Sequence, residues 1–159
     1  MLAYDVNNIT LISDDIYHQS LRKMLGEQIQ ELKGKVIGQR VVDVEPPTME
    51  TSVSSSGSIK GTQVTEILTF VGRPTITSEG VIHGKGMGII MTTGQSDVAT
   101  FTGEAVGRLG SSGNISWRGS IFYSTSSNGK LSFLNNVVGV FESEIDAEGN
   151  FSDKTWEWK

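Results

Sequence analysis

The chain has 159 residues, with 13 Lys and Arg against 18 Asp and Glu and a formal net charge of -5. A single domain, 1–159, of that size buries enough surface to fold without metal or disulfide staples, and the acidic balance excludes broad binding to nucleic acid, which needs clustered Lys and Arg. The absence of cysteine excludes disulfides, thiolate metal sites and cysteine nucleophiles, and fits a cytoplasmic protein.

The first ten residues carry Asp5 and no basic cluster, unlike a secretory leader. No apolar run approaches the roughly 20 residues that span a bilayer, so no membrane partner is expected. Between residues 13 and 33, Leu21, Leu25, Ile29 and Leu32 recur at steps of three and four, with Met24 widening the stripe. That spacing predicts one amphipathic helix, capped by Ser13 or Asp14 and stopped at Gly34.

From Lys35 the period changes to two, with turn residues every 8 to 15 positions. Strands are predicted at about 35–45, 48–56, 59–72, 79–92, 97–109, 114–125, 129–135, 137–146 and 151–158. Asn128-Gly129 is the sharpest hairpin signal among the breaks. An open sheet of that length would leave two unprotected edges. The expected fold is therefore all-β, an antiparallel closed barrel of eight to nine strands over about 35–158, carrying one N-terminal helix. A two-sheet sandwich is the alternative.

Gly84, Gly86 and Gly88 alternate on one face of a single strand, where glycine normally weakens the sheet. Such a face is expected to admit another element closely, and it offers the N-terminal helix a seat. In the next two strands alternation turns Ala99, Phe101, Ala105 and Leu109, then Ile115, Trp117, Ile121 and Tyr123, toward the interior. The late acidic residues Glu142, Glu144, Asp146, Glu148, Asp153 and Glu157 read as a solvated sheet edge.

Polar residues that share a face with apolar ones are the candidates for a site, because burying them unpaired is costly. Arg40 has the parity of Val36, Val42 and Val44; Glu66 that of Val64, Leu68 and Phe70; Asn135 that of Leu131 and Phe133. Tyr123 adds a hydroxyl. Facing one lumen, Arg40 and Glu66 would form an ion pair and Asn135 and Tyr123 would complete a hydrogen-bonded cluster. Phe101, Trp117, Phe133 and Phe141 would form its apolar wall, as in ligand cavities generally. A cluster of that kind also serves as a structural network fixing strand register.

His83 alternates with Lys85, Met87, Ile89 and Met91, either near the barrel mouth or on the outer face. No second histidine lies at ligand spacing, so no metal site is expected, and no cofactor motif is present. Gly84-Lys85-Gly86-Met87-Gly88 lacks the Gly-Lys-Ser/Thr ending of a phosphate loop. Gly-x-Ser-x-Gly is absent too, and no catalytic residue is assigned. Val137, Val138, Val140 and Phe141 are apolar on both faces of one strand. Cover by the helix or by another subunit is expected, which makes the protein a homo-oligomer.

The run from Gly80 to Lys159 resembles a small microbial protein family that brings no known activity. The residues that carry this likeness are Arg118-Gly119-Ser120-Ile121-Phe122-Tyr123, Lys130-Leu131-Ser132-Phe133-Leu134-Asn135-Asn136 and Thr155-Trp156-Glu157-Trp158. By its glycine-rich strands the chain is similar to the allene oxide cyclase-like, calycin-type barrels. That resemblance implies architecture only, and no catalytic residue is carried over with it. Three functions are expected in order: a barrel that binds a small, partly apolar molecule; an isomerase or cyclase in which Glu66 handles a proton or charge; a structural oligomeric protein with a filled barrel.

Overall fold

The structure is a computed structural model that describes residues 25–75 and 79–159. Its strands are β1 (Leu25–Val44), β2 (Pro47–Ile59), β3 (Thr62–Pro74), β4 (Val81–Thr92), β5 (Val98–Leu109), β6 (Ile115–Ser124), β7 (Val138–Ile145) and β8 (Asn150–Trp158). Each pairs antiparallel with its successor, and β1 also pairs with β8. The sheet closes on itself in chain order as an all-β barrel. Closure removes the edges that eight such strands would otherwise expose.

Two sequence expectations give way here. Residues 25–33 belong to β1, not to a helix; the earlier part of the expected helix, 13–24, lies outside the described residues. The register of β1 on β8 slips between Leu25 and Gln28 and again between Gln28 and Gln30. That irregularity turns the consecutive Ile29 and Gln30 both inward, with Leu32 following. A bulged strand thus reproduces the step of three that reads as helical.

The second correction concerns 129–135, which forms no strand. The connection from β6 to β7 crosses one end of the barrel and carries a single 3-10 turn, Ser132–Leu134. Leu131 and Leu134, both 0% exposed, plug that end against Ile29, Ile59, Val64 and Ile90. Asp97, at the start of β5, ties the connection down by accepting from Ser127 Oγ and from the Leu131 amide at 3.3 Å. Gly129 is bare because a Cβ there would collide with the Asp97 carboxylate. The Asn128-Gly129 pair therefore serves this docking and makes no hairpin.

At the opposite end the barrel is open. There β1 runs past its last pairing with β8, Lys35 to Asn150, and continues to Val44 with β2 alone beside it among the described strands. Ile37, Val41, Val42 and Val44 are exposed along that overhang.

Candidate functional site

The inner faces of β3 to β6 hold aromatic rings against bare backbone. Gly84, Gly86 and Gly88 point into the barrel, whereas His83, Lys85, Met87 and Ile89 are exposed outside. A Cβ on Gly84 or on Gly107 would stand 2.8 Å from carbons of the Trp117 ring, and one on Gly88 would overlap the Phe101 ring. The glycine face thus seats Trp117 and Phe101 and offers no seat to a helix. Phe70 meets Trp117 edge to face, with ring centroids 5.2 Å apart. Phe101 meets Tyr123 in the same way at 6.1 Å.

Beneath these rings lies a cavity of about 70 Å³. Its walls include Leu68, Phe70, Phe101, Trp117, Phe141 and Phe151, and its polar lining comes from Gln30, Glu66, Ser143 and Asp153. Phe70, Trp117 and Ile145 also line a wider opening of about 470 Å³ at the open end, which the β1 overhang borders. The two spaces share Phe70, Trp117 and Ile145 as lining.

Those carboxyls belong to a buried network. Ser55 Oγ donates to Glu66 Oε1 at 3.1 Å. Gln30 Nε2 donates to Asp153 Oδ2 at 2.9 Å, and Thr155 Oγ1 donates to the same oxygen at 3.1 Å. The Tyr123 hydroxyl donates to Gln30 Oε1 at 3.0 Å. Gln30 is 3% exposed, so its amide links Tyr123 to Asp153 across the closed interior.

Burial, aided by the negative Asp153 nearby and opposed by the Ser55 hydrogen bond, pushes Glu66 up to about 8. Asp153 is raised by burial to about 6, with the Gln30 and Thr155 donors resisting. Tyr123 is raised well above its usual value by burial and by Asp153. Both carboxyls thus keep their protons to higher pH than usual, Glu66 more so than Asp153. Such a pair can exchange a proton with a bound molecule near neutrality.

The structure separates the expected site residues into two groups. Glu66, Tyr123, Phe101, Trp117 and Phe141 come together inside the barrel. Phe133 packs on the core from the plugged end, with Lys60 Nζ 5.0 Å from its ring centroid. Arg40 points outward and pairs with Glu50 at 3.1 Å, so it makes no bridge to Glu66. Asn135 lies exposed on the plugging connection, and His83 is exposed on the outer face of β4.

Two residues of the network escaped the sequence reading. Asp153 was counted with the solvated acids, yet it is 7% exposed and shares its inward face with Phe151 and Thr155. That alternation was present in the sequence. Gln30 lay inside the expected helix, where no strand parity applied.

Among the described residues no group of three or more His, Cys, Asp and Glu is placed to hold a metal ion. No helix among them is long and apolar enough to cross a membrane. No protein-family model, no curated protein and no solved structure matches the chain.

Proposed function

We propose that the barrel binds a small, partly apolar molecule in its lumen. One observation carries this reading: the cavity has aromatic and aliphatic walls that end at a few converging polar groups, Glu66, Asp153 and Gln30. Ligand sites in general have that composition. Native mass spectrometry of protein taken from its source cells tests it. A mass that stays on the folded chain, leaves on denaturation and is missing from the lumen-filling variant Ser143→Phe supports the reading. The bare chain's mass alone favours the third expectation, a filled structural barrel.

A second reading, an isomerase or cyclase, is favoured by the two carboxyls whose pKa values are split to about 8 and about 6. Glu66 would supply or take a proton while the rings impose shape on the substrate. Turnover lost in Glu66→Gln with binding retained distinguishes this from plain binding. The likeness to allene oxide cyclase-like, calycin-type barrels belongs to the same proposal, and eight-strand closure supports it in architecture alone.

Outward positions carry ion pairs, Lys85–Glu104, Arg118–Glu142 and Lys154–Glu31, which supports an aqueous, cytoplasmic setting over a lipid-facing barrel. A homo-oligomer is proposed through the β1 overhang. Antiparallel pairing of two copies about Gln39 would set Ile37 against Val41 and Gly38 against Arg40. Sedimentation should then give a dimer that Val41→Lys dissociates; a wild-type monomer at micromolar concentration would remove this part.

A further inference from the structure

The polar side of the cavity has more acceptors than donors. Glu66 receives its hydrogen bond at Oε1, and Asp153 receives both of its own at Oδ2. Among the described residues no donor reaches Glu66 Oε2 or Asp153 Oδ1. Both residues are more than nine-tenths buried. Among the described residues the one side-chain atom that is both sealed from solvent and unpartnered is Trp117 Nε1. The two free carboxyl oxygens are therefore not sealed: they open on the cavity that both residues line.

Buried carboxylates are normally matched by a cation or by a full set of donors. Neither Glu66 nor Asp153 takes part in an ion pair among the described residues. Among the described residues no Lys, Arg or His lines the cavity. Glu104 also borders it, but its carboxylate is turned out to Lys85 at 2.9 Å. Among the described residues the titratable groups that face the space are thus Glu66 and Asp153, with Tyr123 behind Gln30.

We infer that the lumen takes an organic ammonium on a compact apolar body, the ammonium donating to Asp153 Oδ1 and, once its charge has driven the Glu66 proton to solvent, to Glu66 Oε2, while the body lies against Phe101, Phe141 and Trp117. This deepens the binding reading above and rests on it. An ammonium brings up to three donors and the missing positive charge, and charge-assisted hydrogen bonds are the stronger kind. The rings add attraction between the cation and their faces. A carboxylic acid ligand would instead add negative charge beside Asp153, and a neutral alcohol would satisfy one oxygen without offsetting the charge.

Three probes with one body and different charge, small enough for a space of about 70 Å³, test the assignment: propylamine, 1-propanol and butyrate, titrated calorimetrically into the full chain at pH 7.5. The amine should bind at least about tenfold more tightly than the alcohol, a difference of one charge-assisted contact, and the acid should not saturate. Asp153→Asn should bring the ratio of amine to alcohol affinity, both measured on the variant, down to about one. Wild-type protein gives the same test without a variant: amine affinity falls as pH drops below about 6, where Asp153 takes up its proton, and alcohol affinity does not. Equal binding of amine and alcohol, lost together in Ser143→Phe, overturns the ammonium assignment and leaves the binding barrel standing. No saturable binding by any probe at millimolar concentration overturns both.

Discussion

Trp117 lies with the benzo edge of its indole on the bare backbone of Gly84, so close that a Cβ there would stand 2.8 Å from Trp117 Cζ3. Gly84→Ala must therefore push the ring into the cavity or bend β4. Overpacking of this kind costs about 1–3 kcal/mol. Thermal unfolding should show the loss, and Trp117 should change its fluorescence; an unaltered melt and spectrum would mean that the ring is not wedged there.

Glu66 and Asp153 make stability fall with rising pH. The folded protein holds the Glu66 proton to about 8 against 4.5 for an ordinary glutamate, and the Asp153 proton to about 6 against 3.8. Because the native state binds these protons more tightly, their contribution is full below the ordinary values and is lost as pH rises through the folded ones. Glu66→Gln should flatten the decline between pH 5 and 9 by a few kcal/mol, read from urea unfolding at both ends. Asp97 has the opposite sign. The Ser127 hydrogen bond holds its carboxyl below 3.8, so its contribution is lost as pH falls through the lowered value.

Tyr123→Phe removes the donor to Gln30 Oε1 and leaves a buried acceptor unmatched. A loss of about 1–3 kcal/mol is expected, with the circular dichroism of the barrel unchanged. The same unfolding midpoint as wild type would show that Gln30 finds another partner.

Leu134→Ala opens the plugged end where Leu134 is fully enclosed. Core leucine truncations cost about 2–5 kcal/mol. Hydrogen exchange should quicken along 125–137 before it does so in β4 or β5, because the connection is held by its plug and by Asp97.

Arg40→Ala should leave the unfolding midpoint unchanged within error, because Arg40 pairs with Glu50 at the surface. The sequence reading implies the reverse, a large loss from an orphaned Glu66. That contrast shows where alternation stops informing. In β5 and β6 the chain alternates between lumen and solvent, and Phe101, Trp117, Ile121 and Tyr123 were legible from parity alone. Along 37–44, β1 has left the barrel, so the period of two no longer distinguishes lumen from solvent. In β4 alternation left the face of His83, Lys85, Met87 and Ile89 undecided: it is the outer one, while the glycines face in to make room for rings from other strands. Long-range fit of that kind has no local signature. Asn135 followed the parity of a strand that is instead a docked connection, and Gln30 was hidden by the bulge that imitates a helix.

The most direct test of a ligand-binding lumen is a two-dimensional NMR titration of the full chain with 1-propanol and propylamine. Saturable shifts concentrated on Leu68, Phe101, Ile121 and Asp153, and abolished in Ser143→Phe, are the predicted result. Shifts confined to outward residues such as Met87 and Ile89, or persisting equally in the filled variant, would contradict it.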